Sequence, residues 1–564
     1  MPSRISRPFT RPSQSHDFLL ERAHAAYSSN RLSDAERLYR KFLAIKPDDA
    51  DALRNLGAIE LQMGQAEAAI GLIRRSLEID NTSADAQCNL GLALKQAGHL
   101  EEAEQAYRSA ISSDPTIVDA HSNLGVLLSE MNRYDEAGDA LRAAVALAPD
   151  NGGVMANLGL LELRASRPEQ ALKILFAAAR LEPNNAQILA NLGGILSDQA
   201  RYREAIGFLK KANAQKPKKA SISFNLGRCY FNIGKLTRAI KYYTESISLD
   251  PSFAAAHHNL GHALLANGRL DEGWREYSWR WRSPNYEHSR NISVVPVWGK
   301  ESIKNKRLLI RSEQGIGDKI LFASILPELA ALGDEITLET EKRLVPVFKR
   351  SFPQLSVRPV VDDLNDYDYQ ISLGDLPSLF RTHFSSFRKT GAYLIPDRGI
   401  QENLRAKYHE HNKILVGISW HSKKPKTVAL AQFAPLFELL NCKFVNLQYG
   451  EHSAEIQRFE ADVGQRIVTD EAIDPIRDFD PFVAQVAAMD AVITVQNTTL
   501  YTAGALGIPT FAILPPIPDW KWLGHKTSSP WHDSVRLFHR SDQFDDGELT
   551  TIIKRIKEHL ANMG

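Results

Sequence analysis

Residues 84–117 read ADAQCNLGLALKQAGHLEEAEQAYRSAISSDPTI, and this stretch decides the fold of the first half of the chain because its features return at a fixed step. The tripeptide Asn-Leu-Gly stands at 55–57, 89–91, 123–125, 157–159, 191–193, 225–227 and 259–261, each copy 34 residues after the last. Ala35, Ala69, Ala103, Ala137, Ala171, Ala205 and Ala239 keep that period, and Pro47, Pro115, Pro149, Pro183, Pro217 and Pro251 fall on it too. Such a period marks stacked helical units, each too small to bury its apolar face alone. Small residues let paired helices approach, large apolar residues fill the gaps, and proline sits in the turn after each second helix. Eight units follow, starting at 16, 50, 84, 118, 152, 186, 220 and 254. The first lacks the tripeptide and reads as a cap. The last departs after Gly273 into Trp274-Arg-Glu-Tyr-Ser-Trp-Arg-Trp.

The bulk numbers exclude several classes of function. At 564 residues the chain calls for two or three domains. Lys and Arg total 68 against 67 Asp and Glu, so no global field draws nucleic acid or an anionic membrane. Cys88, Cys229 and Cys442 lie far apart without metal-ligand spacing, which fits a reducing cytoplasm better than a disulfide framework. The N-terminus, MPSRISRPFTRPSQSH, is basic but has no apolar core of a signal peptide, and no apolar run reaches the length of a membrane span. A short disordered tail over 1–15 and no membrane insertion are the expectations.

The repeated asparagines carry a further signal. Asn55, Asn89, Asn123, Asn157, Asn191, Asn225 and Asn259 sit inside first helices, where asparagine is a poor helix former. One reading is an inter-repeat hydrogen bond copied by duplication. The other is a row of carboxamides on the concave face, each with a donor and an acceptor, gripping an acceptor polypeptide by its backbone. The array over 16–287 resembles the tetratricopeptide family, and its asparagines resemble the ladder of the O-linked N-acetylglucosamine transferases. There the repeats present protein acceptors to a glycosyltransferase domain.

Beyond the array the period stops. Residues 279–305 are punctuated by Pro, Asn, Ser and Trp, and 288–304 reads as a structured linker. From Lys306, apolar strands alternate with amphipathic helices: RLLIRSE, a helix from Asp318 to Leu332, EITLETE, a helix near 342–352, and YQISLG. A second series begins with ILVGISW at Ile414 and continues through a helix near 431–440, FVNLQYG, RIVTD, a helix near 481–488, AVITV, a helix from about 498, and TFAILPP. A helix at 548–562 closes the chain. Two α/β halves, 305–400 and 401–564, result. Glu313-Gln-Gly-Ile-Gly-Asp318, GISWHS at 417–422, Lys426-Thr427, NTT at 497–499, AGALGIP at 503–509 and PDWKWLG at 518–524 occur in that order. Together they resemble the glycosyltransferase-like domains found behind bacterial tetratricopeptide arrays, distantly similar to heptosyltransferases. The expected fold is therefore an all-α solenoid followed by an α/β domain of GT-B type, two Rossmann-like halves facing a cleft.

Several residues stand out as site candidates. In Gln314-Gly315-Ile316-Gly317-Asp318 the glycines allow a tight turn and close backbone approach, and Asp318 opens the next helix. It reads either as an N-cap or, by its resemblance to the heptosyltransferase Gly-Asp, as the general base, with Glu313 the alternative base. A carboxylate there repels phosphate, so this loop faces the acceptor. In the second half, Asn497, Thr498 and Thr499 head an alanine-rich helix whose free N–H groups suit the phosphates of a nucleotide-sugar. Lys426, flanked by Lys423 and Lys424, would neutralise the departing phosphate. Ser419, Trp420, His421 and Gln448 end strands at the cleft edge, where α/β sheets hold ligands, with Trp420 also fitting a core position. This chain has Tyr501 where related domains have histidine, and Gln496 where heptosyltransferases have an acid. Asp-x-Asp occurs at 366–368 and 478–480, yet GT-B enzymes generally work without metal, and no metal site is expected.

What the resemblance implies is a cytoplasmic bacterial protein glycosyltransferase, using a CMP-, UDP- or GDP-linked sugar and no permanently bound cofactor. Its acceptor would be Ser or Thr of a protein, flagellin being the example from such fusions. A binding scaffold with a degenerate transferase domain, or a heptosyltransferase-like enzyme acting on a glycan, are the alternative readings.

Overall fold

The computed structural model describes residues 13–215, 218–282, 295–313, 315–359, 361, 363–388, 391–422, 426–517, 519–524, 527–540 and 546–563. Most of the expected tail, residues 288–294 of the expected linker, Pro217, Gln314, Lys423 and Lys424 lie outside the described residues. The chain forms two compact units, 1–216 and 217–564.

The first unit is a tetratricopeptide solenoid. After Ser13–Ser28 and Leu32–Leu43, helix pairs run Ala50–Gln62 with Ala66–Ile79, Ala84–Ala97 with Leu100–Ser113, Val118–Glu130 with Tyr134–Leu147, Gly152–Arg164 with Pro168–Leu181, and Ala186–Asp198 with Tyr202–Asn213. First helices are opened by Asp49, Ser83, Asn151 and Asn185, whose side chains accept from backbone N–H groups of the first turn. The Asn-Leu-Gly glycines explain the period. A Cβ on Gly57 would lie 2.5 Å from Ile73, on Gly91 2.6 Å from Tyr107, on Gly125 2.5 Å from Leu141, on Gly159 2.8 Å from Leu175 and on Gly193 2.5 Å from Leu209. In every case the large side chain sits sixteen positions on, in the second helix. Each glycine is thus the hole for its own repeat's knob, and close packing of that contact leaves no volume for a methyl group.

The second unit opens with two more repeats, Ala220–Asn232 with Leu236–Leu249 and Ala254–Ala266 with Leu270–Tyr277. A 3₁₀ segment, Ser278–Arg282, follows, and then the α/β region. One sheet is built from β1 (Arg307–Arg311), β2 (Glu335–Glu339), β3 (Ser356–Arg358) and β4 (Tyr369–Ser372), in the order β3-β2-β1-β4. The other is built from β5 (Ile414–Ser419), β6 (Cys442–Asn446), β7 (Ala491–Val495), β8 (Thr510–Leu514) and β9 (Val535–His539), in the order β6-β5-β7-β8-β9. All strand pairs are parallel. Strand order reverses direction beside β1 in one sheet and beside β5 in the other, and such reversals open crevices at the C-terminal strand ends.

Two helices differ from expectation. The span from Asp318 to Leu332 is split into Ile316–Ala323 and Leu326–Ala330, because Pro327 lacks the N–H that a continuous helix needs. The segment near 431–440 is a 3₁₀ run, Leu430–Glu438, with Pro435 inside it. The terminal helix is Asp546–Ala561. The last repeat shares a core with the α/β region: Trp274 donates through Nε1 to the carbonyl of Arg381 at 2.9 Å and packs edge-on against Trp520.

Candidate functional site

The loop after β1 is fixed from both sides. Gly315 takes the N-cap position of the helix Ile316–Ala323, in extended backbone, so Asp318 lies inside the first turn and is not the cap. A carboxylate there is still favoured by the helix dipole. A Cβ on Gly317 would meet the Tyr501 ring at 2.7 Å. Tyr501 therefore fills the space that Gly317 leaves open, and its ring stacks on Trp522. Glu313 points elsewhere. It accepts from Nη2 of the fully buried Arg280 at 3.0 Å, while Nη1 of Arg280 donates to Asp375 at 2.6 Å. Trp281 donates through Nε1 to the second oxygen of Asp375 at 2.9 Å. With 3% of its side chain exposed and held by a guanidinium, Glu313 is placed as an anchor for the segment after the repeats.

Asp318 meets a partner that sequence reading did not assign. Its Oδ1 lies 3.0 Å from Nζ of Lys521, which also lies 2.9 Å from Oδ2 of Asp519; that same oxygen is 3.7 Å from Nζ of Lys426. Four charges alternate in sign from the loop after β1 to the loop after β5. Burial works against the Lys521 ammonium, but Asp519 and Asp318 outweigh it and hold its pKa well above the usual range. Burial likewise opposes the Asp519 carboxylate, yet Lys521 and Lys426 bring it down to about 2. Burial pulls Lys426 below the ordinary lysine range, and Asp519 offsets only part of that. His262, from the last repeat, stacks on Trp520 at 5.3 Å, and burial pushes its imidazole down to about 3. The signal was present in PDWKWLG, where two charges are set among tryptophans, but nothing local names their partner.

The edge of the second sheet is a hydrogen-bonded brace. Ser419 at the end of β5 is fully buried; it donates to Oε1 of Gln448 at 3.0 Å and accepts from Nδ2 of Asn497 at 2.7 Å. The amide of His421 donates to the same Gln448 oxygen at 2.8 Å. Asn497 caps the helix Thr498–Ala505 through Oδ1, which accepts from the Leu500 amide. Ser422 donates to the Gln496 carbonyl at 3.1 Å, which lays the loop bearing Lys426 beside that helix start. Thr499 is fully buried against Ser419, while Thr498 lines a cavity of about 320 Å³ with Ile316, Arg343, Tyr449 and Phe482. A larger polar cavity, about 720 Å³, opens beside it along Gln448, Tyr449, His452, Thr469 and Asp474. Trp420 belongs to the core: it is fully buried and donates through Nε1 to Glu455 at 3.0 Å. Between the segments that carry the two sheets, Arg343 donates to the carbonyls of Pro475 and Ile476, and Arg350 pairs with Asp480.

Asp480 is thus engaged by an arginine, and Asp368 accepts from Lys306 and the amide of Arg307. Among the described residues no three ligating side chains cluster as a metal site, and no helix is long and apolar enough to cross a membrane.

The seven asparagines are all half-buried. Nδ2 of Asn157 donates to Ser122 of the preceding repeat at 3.0 Å, and Asn123 makes a long contact of 3.9 Å to the Cys88 sulfur. Asn191 accepts from Gln187 at 3.0 Å. Asn89 and Asn225 make no side-chain hydrogen bond among the described residues. Inter-repeat bonding therefore accounts for some members of the row and not for others. In the last repeat, His262, one turn on from Asn259, is covered by Trp520.

Comparison with known proteins agrees with the repeats. A family model described as tetratricopeptide repeat matches residues 20–84, 88–152 and 157–220, and one described as TPR repeat matches 227–268. Protein FlbA of Caulobacter vibrioides is 35% identical over 297 residues, which is 48% of this chain and 49% of that one. The chain thus spans about half the length of this curated relative. Among solved structures, PilF of Pseudomonas aeruginosa is 28% identical with a TM-score of 0.34, covering 37% of this chain and 94% of its own. A tetratricopeptide repeat protein of Parabacteroides merdae is 15% identical with a TM-score of 0.37, covering 44% of this chain and 99% of its own.

Proposed function

We propose that the protein is a glycosyltransferase of GT-B type that holds an acceptor protein along its repeats and moves a sugar from a nucleotide-sugar to a Ser or Thr hydroxyl. The observation that carries the reading is the meeting of the two sheet edges. One contributes Asp318, the other contributes Lys426 and the helix start at Thr498, and a cavity of about 320 Å³ is lined by Ile316, from the same first turn as Asp318, and by Thr498. Asp318 takes the hydroxyl proton; the oxygen forms a bond to the anomeric carbon; the carbon–oxygen bond to phosphate breaks, its electron pair leaving with the nucleotide. Lys426 and the N–H groups at Thr498 and Thr499 receive that phosphate. Ser419, Gln448 and Asn497 support the donor edge from below, and the larger polar cavity beside Tyr449 and His452 suits the rest of the donor. The reading needs no metal, places the work in the cytoplasm, and names flagellin as the first acceptor to try.

One observation favours a second reading, a binding scaffold: the Asp318 carboxylate already faces Lys521 at 3.0 Å. Co-expression of the chain with flagellin and a sugar-nucleotide pathway, followed by intact-mass measurement of the acceptor, separates the two. The transferase adds a fixed sugar mass that Asp318→Ala abolishes. An unmodified acceptor with both chains, despite binding to the repeats, supports the scaffold.

A further inference from the structure

We propose that Asp318, Lys521, Asp519 and Lys426 form a charge relay, in which neutralising Asp318 at the acceptor end frees Lys426 for the phosphate at the donor end. The inference rests on the transferase reading above and adds a coupling between its two halves.

The relay follows from sharing. Lys521 stands between two carboxylates: it donates a hydrogen bond to Asp519 at 2.9 Å and lies 3.0 Å from Asp318 Oδ1 without hydrogen-bonding it, while Asp519 also lies 3.7 Å from the Lys426 ammonium. An ion placed between two partners cannot take its best geometry with both, so loss of one lets it settle on the other. Burial makes the division matter: Lys521 is 9% exposed, and only 16% of the Asp519 side chain reaches solvent, so salt and water screen these contacts weakly. Two further titratable groups act on the network, and neither adds charge near neutral pH. Tyr501 is pushed up by burial and stays a phenol, and His262 is pushed down by burial and stays neutral.

During transfer both ends change together. The acceptor hydroxyl gives its proton to Asp318 as its oxygen bonds the anomeric carbon, and the bond to phosphate breaks with its electron pair on the phosphate oxygen. A neutral Asp318 no longer pulls on Lys521, which settles on Asp519. Asp519 then relaxes its hold on Lys426, whose charge becomes available to the phosphate at the moment that phosphate gains charge. Acceptance of the proton and stabilisation of the leaving group are in this way one event.

Inorganic pyrophosphate serves as the probe, with binding to the full-length chain measured by titration calorimetry at neutral pH. Lys426→Met marks the site by removing most of the binding. Asp318→Asn, which imitates protonated Asp318, should bind pyrophosphate about five- to tenfold more tightly than wild type. In a Lys521→Met background the same substitution should gain less than twofold, and so too in Asp519→Asn, which keeps the native volume should Lys521→Met fold poorly. A simple field effect of the Asp318 charge predicts the opposite, because it persists when the intermediates are gone. An undiminished gain in both backgrounds, or no gain from Asp318→Asn alone, overturns the relay and leaves the transferase reading standing. Absence of pyrophosphate binding to wild type overturns both.

Discussion

Arg280→Met removes a fully buried guanidinium and leaves two carboxylates facing the hydrophobic side chain that replaces it. Among the described residues Glu313 would keep only the amide of Gly374 at 3.5 Å, whereas Asp375 would keep Trp281 Nε1 at 2.9 Å and 21% of its side chain in solvent. The unpaired charge on Glu313 is therefore the main loss. Breaking one side of a buried ion pair costs about 3–5 kcal/mol. In a unit of this size each kcal/mol moves the midpoint by roughly 2 °C, so Tm should fall by about 6–10 °C. All eight tryptophans lie in the second unit, so tryptophan fluorescence during heating reads that unit alone. Adding Glu313→Gln to Arg280→Met should recover a large part of the loss, since an amide needs no counter-charge. A Tm within 2 °C of wild type for Arg280→Met, or a double variant no better than the single, would refute the anchoring role and return Glu313 to the list of bases.

Two further outcomes test the packing and a buried histidine. Gly193→Ala puts a methyl 2.5 Å from Leu209 and should cost about 1–3 kcal/mol, while Gly207→Ala, with nothing within 4 Å, should be neutral or gain up to about 1 kcal/mol from helix propensity. Urea unfolding followed by circular dichroism compares them, and equal midpoints would sink the knob-and-hole account. His532 is 5% exposed, donates through Nε2 to Tyr393, whose hydroxyl in turn donates to the Ile320 carbonyl, and is held by burial at about 3. In the unfolded chain it titrates near ~6.5, so its contribution is full above that pH and drains away as pH falls toward 3, by about 1.4 kcal/mol per pH unit. His532→Gln should remove one proton's worth of that slope between pH 6 and 4 in fluorescence-monitored urea unfolding. An unchanged slope would show that the imidazole is not kept neutral.

What could be read from the residues was whatever is local and repeated. The glycines of Asn-Leu-Gly announce the solenoid because each constraint lies within one repeat, sixteen positions from its partner. Strands β5, β7 and β8, buried on both faces, show as apolar runs that periodicity finds without help. The candidate site was legible as strings and not as pairs. Asp318 was visible as a carboxylate after a glycine loop, but Lys521 is remote in sequence and becomes its neighbour only through the packing of Trp520 and Trp522. Arg280, inside the Trp-rich end of the last repeat, gave no hint that it closes on Glu313. The asparagine row had two readings because a carboxamide serves either, and Asn157 illustrates the inter-repeat bond. The broken helix after Asp318 was foreseeable from Pro327; the helix start at Gly315 was not, since glycine is only a modest N-cap signal.

The contact between Gly317 and Tyr501 constrains how this domain can change over time. A hydrogen at one position and a phenol ring at the other are a matched pair, since a Cβ on Gly317 would sit 2.7 Å from that ring. A lineage that gained a side chain at 317 first would pass through an overfilled intermediate, whereas one that first shrank the ring would pass through a void. Neither position can therefore drift freely alone, and the two should be inherited as a unit.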